Sequence, residues 1–422
     1  MARVDNPDVE NQDVKNQNTE NCVTENQDIE NKSAWAVFLI FLRLGLTSFG
    51  GPIAHLGYFR EEFVVRRKWL VESSYADLVA LCQFLPGPAS SQVGIAIGLS
   101  RAGYAGALAA WAGFTLPSAI ALILFAIGIT SYGDVIPLSV LHGLKVAAVA
   151  VVAQAVWGMS RNLCTDVARV TIMALAACFV LLVPSALGQV SVIVIAAIIG
   201  LILFKPEQSI VHESLPMTVQ RRAGFVWLLL FFALLIGLPL LSAWYPNQTL
   251  AMIDTFFRAG SLVFGGGHVV LPLLQAEVIP AGWLSDDTFL AGYGATQAVP
   301  GPLFTFSAFL GSSMNQAPSG WLGGVICLIA IFTPSFLLVV GALPFWERLR
   351  KNLRTRAALS GINAAVVGLL LAALYQPVWT SAILGVKDFG LALMALVALM
   401  FWRLPAWLVV MGCGLAGWLL TL

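Results

Sequence analysis

The sequence predicts an all-α polytopic membrane protein made of two inverted-topology repeats, with broken or re-entrant helices at two recurring motifs, FGG and PGP. Three observations predict it. Apolar types make up 59% of the chain and charged types only 11%, against about a quarter charged in soluble domains. Uninterrupted apolar runs such as 103–129 and 321–343 exceed the ~18–20 residues that mark a spanning helix. An ordered series of motifs then recurs at an offset of 214–215 residues. Inside hydrocarbon every backbone N–H and C=O must be paired within the protein, which leaves helices or closed barrels. Continuous apolar runs without alternation select helices.

Residues 1–33 form an Asn- and Glu-rich tail that repeats ENQD and is too poor in apolar residues to pack, so it is expected to be disordered. It has no basic start followed by an apolar core and does not read as a signal peptide. The first membrane repeat follows at 34–205, with arms of 73–85 and 89–100 around PGP and spans at 103–130, 139–158, 169–185 and 188–204. A linker at 206–248 carries one extra span, 225–243. The second repeat, 249–422, places spans at 320–343, 358–376, 386–402 and 405–421.

The repeat is read residue by residue. FLRLGLTSFGG at 41–51 matches FFRAGSLVFGG at 256–266, so Arg43 pairs with Arg258, and Gly50 and Gly51 with Gly265 and Gly266. Trp69 pairs with Trp283, and Gln83 with Gln297. Pro86, Gly87 and Pro88 pair with Pro300, Gly301 and Pro302. Pro117-Ser118 matches Pro334-Ser335, and GLKVAAVAVV at 143–152 resembles GINAAVVGLL at 361–370.

Charge supplies the orientation. Arg60, Arg66, Arg67 and Lys68 follow the first FGG, whereas 275–287 holds Glu277, Asp286 and Asp287 and no base. The loop at 131–140 has no base, and its counterpart at 347–356 has five. Basic loops stay cytoplasmic, so equivalent loops lie on opposite faces and the second repeat is inverted. Inverted repeats are typical of secondary transporters, with the substrate near the midplane where the halves meet. The N-terminus is expected in the cytoplasm and the C-terminus in the periplasm of a bacterial inner membrane.

A Pro-Gly-Pro at membrane depth must interrupt a helix. Either it is a simple kink or turn, or it exposes the N–H groups and positive end of the following half-helix to an anion. Ser90 and Ser91 would add hydroxyl donors after the first PGP, and Thr305 and Ser307 after the second. The paired glycines of FGG serve close helix packing or let backbone approach a ligand. Arg43 and Arg258 each lie seven residues before a paired glycine. They offer planar donor forks to an oxyanion, or they snorkel or pair with a carboxylate such as Asp77 or Asp254. Gln83 and Gln297 bond the cargo or satisfy the interrupted backbone. Lys145, matched by Asn363, is a coupling residue or a snorkelling one. His55 and His268 make local hydrogen bonds or handle a proton.

Other chemistry is not supported. The six cysteines and four histidines form no CxxC, HExxH or other metal spacing, and there is no P-loop or dinucleotide fingerprint. No metal, cofactor, nucleic-acid partner or enzymatic activity is expected; membrane lipid and an anionic cargo are. The tail holds eight acids and three bases, leaving 14 and 20 in the remainder, a basic body that suits an anion as well as cytoplasmic loops.

These motifs, in this order, resemble the chromate transporter family in its long, two-domain form, over residues 35 to 420. The resemblance implies a membrane carrier that exports chromate, driven by the membrane potential or an ion gradient, and confers chromate resistance. It also implies functional weight on Arg43, Gly50, Gly51, Pro86, Gly87 and Pro88, and on Arg258, Gly265, Gly266, Pro300, Gly301 and Pro302. Sulfate, another tetrahedral dianion, is the alternative cargo.

Overall fold

Ser33 begins the membrane body, its hydroxyl accepting the Trp35 N–H to cap α1 (Ala34–Thr47). The computed structural model describes residues 33–132, 137–205, 219–264, 267–346, 349 and 352–420, and every regular element among them is helical. The expected disorder of the tail, the first part of the linker at 206–218, and the candidate residues Gly265 and Gly266 lie outside the described residues.

The first repeat continues with α2 (Gly51–Arg60), which runs into a π-helical turn at Glu61–Arg66, and α3 (Glu72–Phe84). Next comes the long α4 (Ala89–Tyr132), then α5 (Leu138–Leu163), α6 (Val167–Leu182) and α7 (Ala186–Leu203). The extra span is α8 (Arg221–Trp244). The second repeat is α9 (Gln248–Leu262), α10 (Val270–Val278), α11 (Asp286–Thr296), α12 (Phe306–Ser312), α13 (Gly320–Ala342), α14 (Leu353–Ala373), α15 (Val386–Met400) and α16 (Ala406–Leu420). Among the described residues, five helical stretches are long and apolar enough to cross a bilayer: Ala89–Thr130, Ser139–Leu163, Arg221–Trp244, Gly320–Phe345 and Leu353–Ala382. The observed helices follow the spans expected from the apolar runs to within a few residues.

The motifs are the tips of hairpins. Phe41 on α1 stacks on Phe63 and meets Phe59 edge-on, at 5.1 and 5.5 Å, so the chain folds back on itself at FGG. In the second repeat Arg258 on α9 reaches Glu277 on α10. The PGP segments fold back too. Helix α4 breaks at Ala102 and Gly103, where Gly103 takes φ +59, and the Arg101 guanidinium lies 4.2 Å over the ring of Trp69, ahead of α3. Both ends of α3–PGP–α4 therefore sit at one face. The second repeat repeats the closure with different chemistry: Asn315, after α12, donates its N–H to the carbonyl of Trp283, ahead of α11. The helix breaks that the sequence left as either broken or re-entrant are re-entrant.

The halves are intertwined. Helix α5 packs against α15 and α16 of the other half, and α14 packs against α6 and α7 of the first. Gly143 backs onto the main chain of Cys413, and Gly361 onto that of Ala196, so both crossings are at backbone contact distance.

Candidate functional site

The tips meet in crossed pairs. The N–H of Gly87, in the first PGP, donates to the carbonyl of Val263, one residue before the second FGG, at 2.7 Å. The N–H of Gly301, in the second PGP, donates to the carbonyl of Ser48, one residue before the first FGG, at 3.0 Å. Each repeat thus completes its partner.

Glycine is required at both crossings. Gly87 and Gly301 have φ +122 and +95, a region that L side chains rarely occupy. A Cβ on Gly87 would lie 2.6 Å from Ser335 Oγ and 2.7 Å from Gln92 Nε2. A Cβ on Gly301 would lie 2.9 Å from Ser118 Oγ. The matched serines of Pro117-Ser118 and Pro334-Ser335 therefore cover each other's glycine across the two halves. Gly50 and Gly51, at φ +101 and +77, form the first FGG turn.

Buried polar atoms without a partner gather here. Among the described residues they include the hydroxyls of Ser48, Ser91, Thr115 and Ser335, the Gln92 carbonyl oxygen and the Gln297 Nε2. Each such atom costs about 1–3 kcal/mol when left unpaired, so a cluster of six marks a place meant to receive polar groups. Three of these residues, Ser48, Gln92 and Thr115, carry no signal in the sequence that marks them as site residues. Ser335 was legible as half of a repeated Pro-Ser pair. Gln92 shows no repeat signal, yet its Nε2 donates to the Pro86 carbonyl at 2.6 Å, so Gln92 rather than Gln83 satisfies the interrupted backbone. Gln83 is exposed, whereas Gln297 is buried.

His55 ties three tips together. Its Nε2 donates to the Ser48 carbonyl at 3.2 Å, the oxygen that also takes the Gly301 N–H, and its Nδ1 faces Ser90 Oγ at 3.4 Å. Because a carbonyl only accepts, the proton belongs on Nε2. His268 instead bonds the Tyr293 hydroxyl at 2.7 Å. Both therefore make local hydrogen bonds.

The arginines and the hydroxyls after the second PGP have surroundings of their own. Arg43 is exposed, and its side chain makes no hydrogen bond or ion pair among the described residues. Arg258 is held by Asp254 at 2.9 Å and Glu277 at 2.8 Å, so of the alternatives it takes the carboxylate pairing, with Asp254 as one partner. Arg43 and Arg258 each lie about one helical turn before the end of α1 and α9. The donor hydroxyls after the second PGP are spent: Thr305 Oγ1 donates to the Pro302 carbonyl at 2.7 Å and Ser307 Oγ to Phe304 at 2.8 Å. That half-helix opens with a 3-10 turn at Leu303–Thr305 and continues for only seven residues, so its positive end is weaker than that of α4.

Two further polar contacts join the halves, one of them an ion pair. Lys145 on α5 meets Asp287 on α11 at 2.8 Å, and His142 on α5 meets Asp388 on α15 at 2.9 Å. Lys145 is thus a pairing residue, with 11% of its side chain exposed. No group of three or more His, Cys, Asp or Glu that could hold a metal occurs among the described residues.

A family model described as chromate transporter matches residues 35–201 and again 250–418. A chromate transport protein of Pseudomonas aeruginosa is 28% identical over 91% of this chain and 91% of its own length. One of Cupriavidus metallidurans is 26% identical over 90% and 91%. An uncharacterized transporter of Methanocaldococcus jannaschii is 31% identical over 81% and 84%. No solved structure matches.

Proposed function

The chain belongs to the chromate transporter family, and we propose that it carries chromate out of the bacterial cytoplasm as a secondary, alternating-access transporter, conferring chromate resistance. The observation that carries this reading is the crossed meeting of FGG and PGP tips, ringed by unpaired buried polar atoms. A tetrahedral dianion accepts hydrogen bonds on all four oxygens. Hydroxyls of Ser48, Ser91, Thr115 and Ser335, the Gln297 amide and the N–H groups of Ala89, Ser90 and Ser91 at the start of α4 supply donors of that kind. Glycines at the tips let the main chain close around the cargo. Arg43, on the helix leading to the first tip, is an uncommitted cation on the approach rather than a wall of the site.

An inside-negative potential favours outward movement of each negative charge by ~2.3 kcal/mol per 100 mV. The test is chromate uptake into inverted membrane vesicles under an imposed inside-positive potential. Uptake should exceed that of vesicles lacking the protein and grow with the potential; equal uptake would sink the reading. Excess sulfate in the same assay separates a chromate carrier from a general tetrahedral-dianion carrier.

A further inference from the structure

The two PGP hairpins carry matching sequences but are packed differently. Helix α11 lies on α5 of the other half, with Gly294 backed onto the main chain of Leu144 and Asp287 paired with Lys145 at 2.8 Å. All of Phe289–Thr296 is buried. Its counterpart α3 has no comparable packing against α14, the counterpart of α5. The difference is local to one face. Leu290, Gly294 and Gln297 are buried, while the matching Ala76, Ala80 and Gln83 are exposed. Ala, Ala and Gln spaced by four and three residues form a smooth, partly polar stripe, the kind of surface that admits a helix at close range and suits lipid poorly.

We propose that this stripe is a docking face for α14 of the same chain, occupied in a second state in which α11 has lifted from α5. The occupant follows from the repeat: Gly294 sits on Leu144, so Ala80 would sit on Ile362, and Gln83 would be covered as Gln297 is now. The inference rests on the alternating-access reading and gives it two named doors. The α11–α5 door is shut in this structure and the α3–α14 door is open, leaving Gln83 reachable beside the first PGP. Basic residues flank the open door, at Arg66–Lys68 before α3 and at Arg354 and Arg356 on α14, so it faces the cytoplasm. The latches differ in chemistry. Lys145–Asp287 is an ion pair, whereas the matching positions, Asn363 and Ser73, are neutral. That difference biases the resting protein toward the state seen here.

The test needs no transported substrate, so its failure is distinct from failure of the chromate assignment. In full-length protein lacking its native cysteines, with a protease site between the repeats and the Lys145–Asp287 pair intact, oxidation should cross-link A80C/I362C in a minority of resting molecules. Adding Lys145→Gln to the A80C/I362C protein should raise its yield several-fold. Separately, Q83C should react with an impermeant maleimide in inverted vesicles many times faster than Q297C reacts in right-side-out vesicles, and Lys145→Gln should narrow that ratio. Absence of the A80C/I362C cross-link with and without Lys145→Gln would overturn the proposal. So would equal labelling of Q83C and Q297C in the resting protein.

Discussion

Arg43 and Arg258 occupy the same place in their repeats and have different company. Arg258 is clamped between Asp254 and Glu277. The position matching Asp254 is Leu39, and Glu62, which matches Glu277, is taken by Arg66 and Arg67 at 2.8 and 2.7 Å. The arginine is shared by the repeats but its counter-ions are not. The same holds at the PGP hairpins, where identical tips are followed by a helical arm of 13 residues in α4 before its break and by seven residues in α12. What the halves share makes the crossed tips; what they do not share makes one face of the molecule charge-latched and the other open.

Substitutions at the shared elements should have the largest effects and break both halves alike. Gly87→Ala and Gly301→Ala each force a Cβ into positive φ and against a serine of the other half. Vesicle transport should fall to background for both, with the protein still inserted. If one were tolerated, the crossed pair would not act as a unit.

Next come the arginines, which should separate the repeats. Arg258→Ala leaves Asp254, with 8% of its side chain exposed, and Glu277 without their cation, and should destabilise the solubilised protein by about 1–3 kcal/mol. Arg43→Ala removes no partner among the described residues and should stay within about 0.5 kcal/mol, measured as thermal unfolding in the same detergent. Loss of transport in Arg43→Ala would then report on cargo handling alone. Equal destabilisation by both would contradict the asymmetry described above.

Lys145→Gln breaks a pair whose aspartate is largely exposed, so its stability cost should be no more than about 1 kcal/mol and should shrink in high salt. A cost that did not respond to salt would point to packing rather than to charge. The smallest effect belongs to Glu72, whose carboxyl is held below the usual carboxylate range by its hydrogen bond from Arg60. A lowered folded pKa stabilises above the unfolded value of about 4.3 and the gain is lost as pH falls through the folded value. Glu72→Gln should therefore lower the melting temperature slightly at neutral pH and not at all in strong acid.

Much of this architecture is legible in the residues. Hydropathy locates the helices, and PGP and FGG locate the breaks, because proline and paired glycine act through the local main chain wherever they occur. The break at Ala102–Gly103 was legible for the same reason, as the boundary between a short arm and a full span. The partners of the polar groups were not. Gln92 looks like an ordinary helical glutamine until its amide is found on the Pro86 carbonyl, and Ser335 like a helix-interior serine until its hydroxyl is found over Gly87.

By itself the sequence determined that the chain is helical, apolar enough for a bilayer, duplicated, and interrupted at four matched motifs, since these follow from composition and from neighbours a few residues apart. Only the tertiary structure decided that Gly87 meets Val263, that Gly301 meets Ser48, and that α11 is docked while α3 is not. Those facts join residues some 140 to 250 positions apart, where two chemically similar surfaces compete for similar partners. Which pairing wins depends on the summed packing and charge of both halves, and no local pattern encodes that sum.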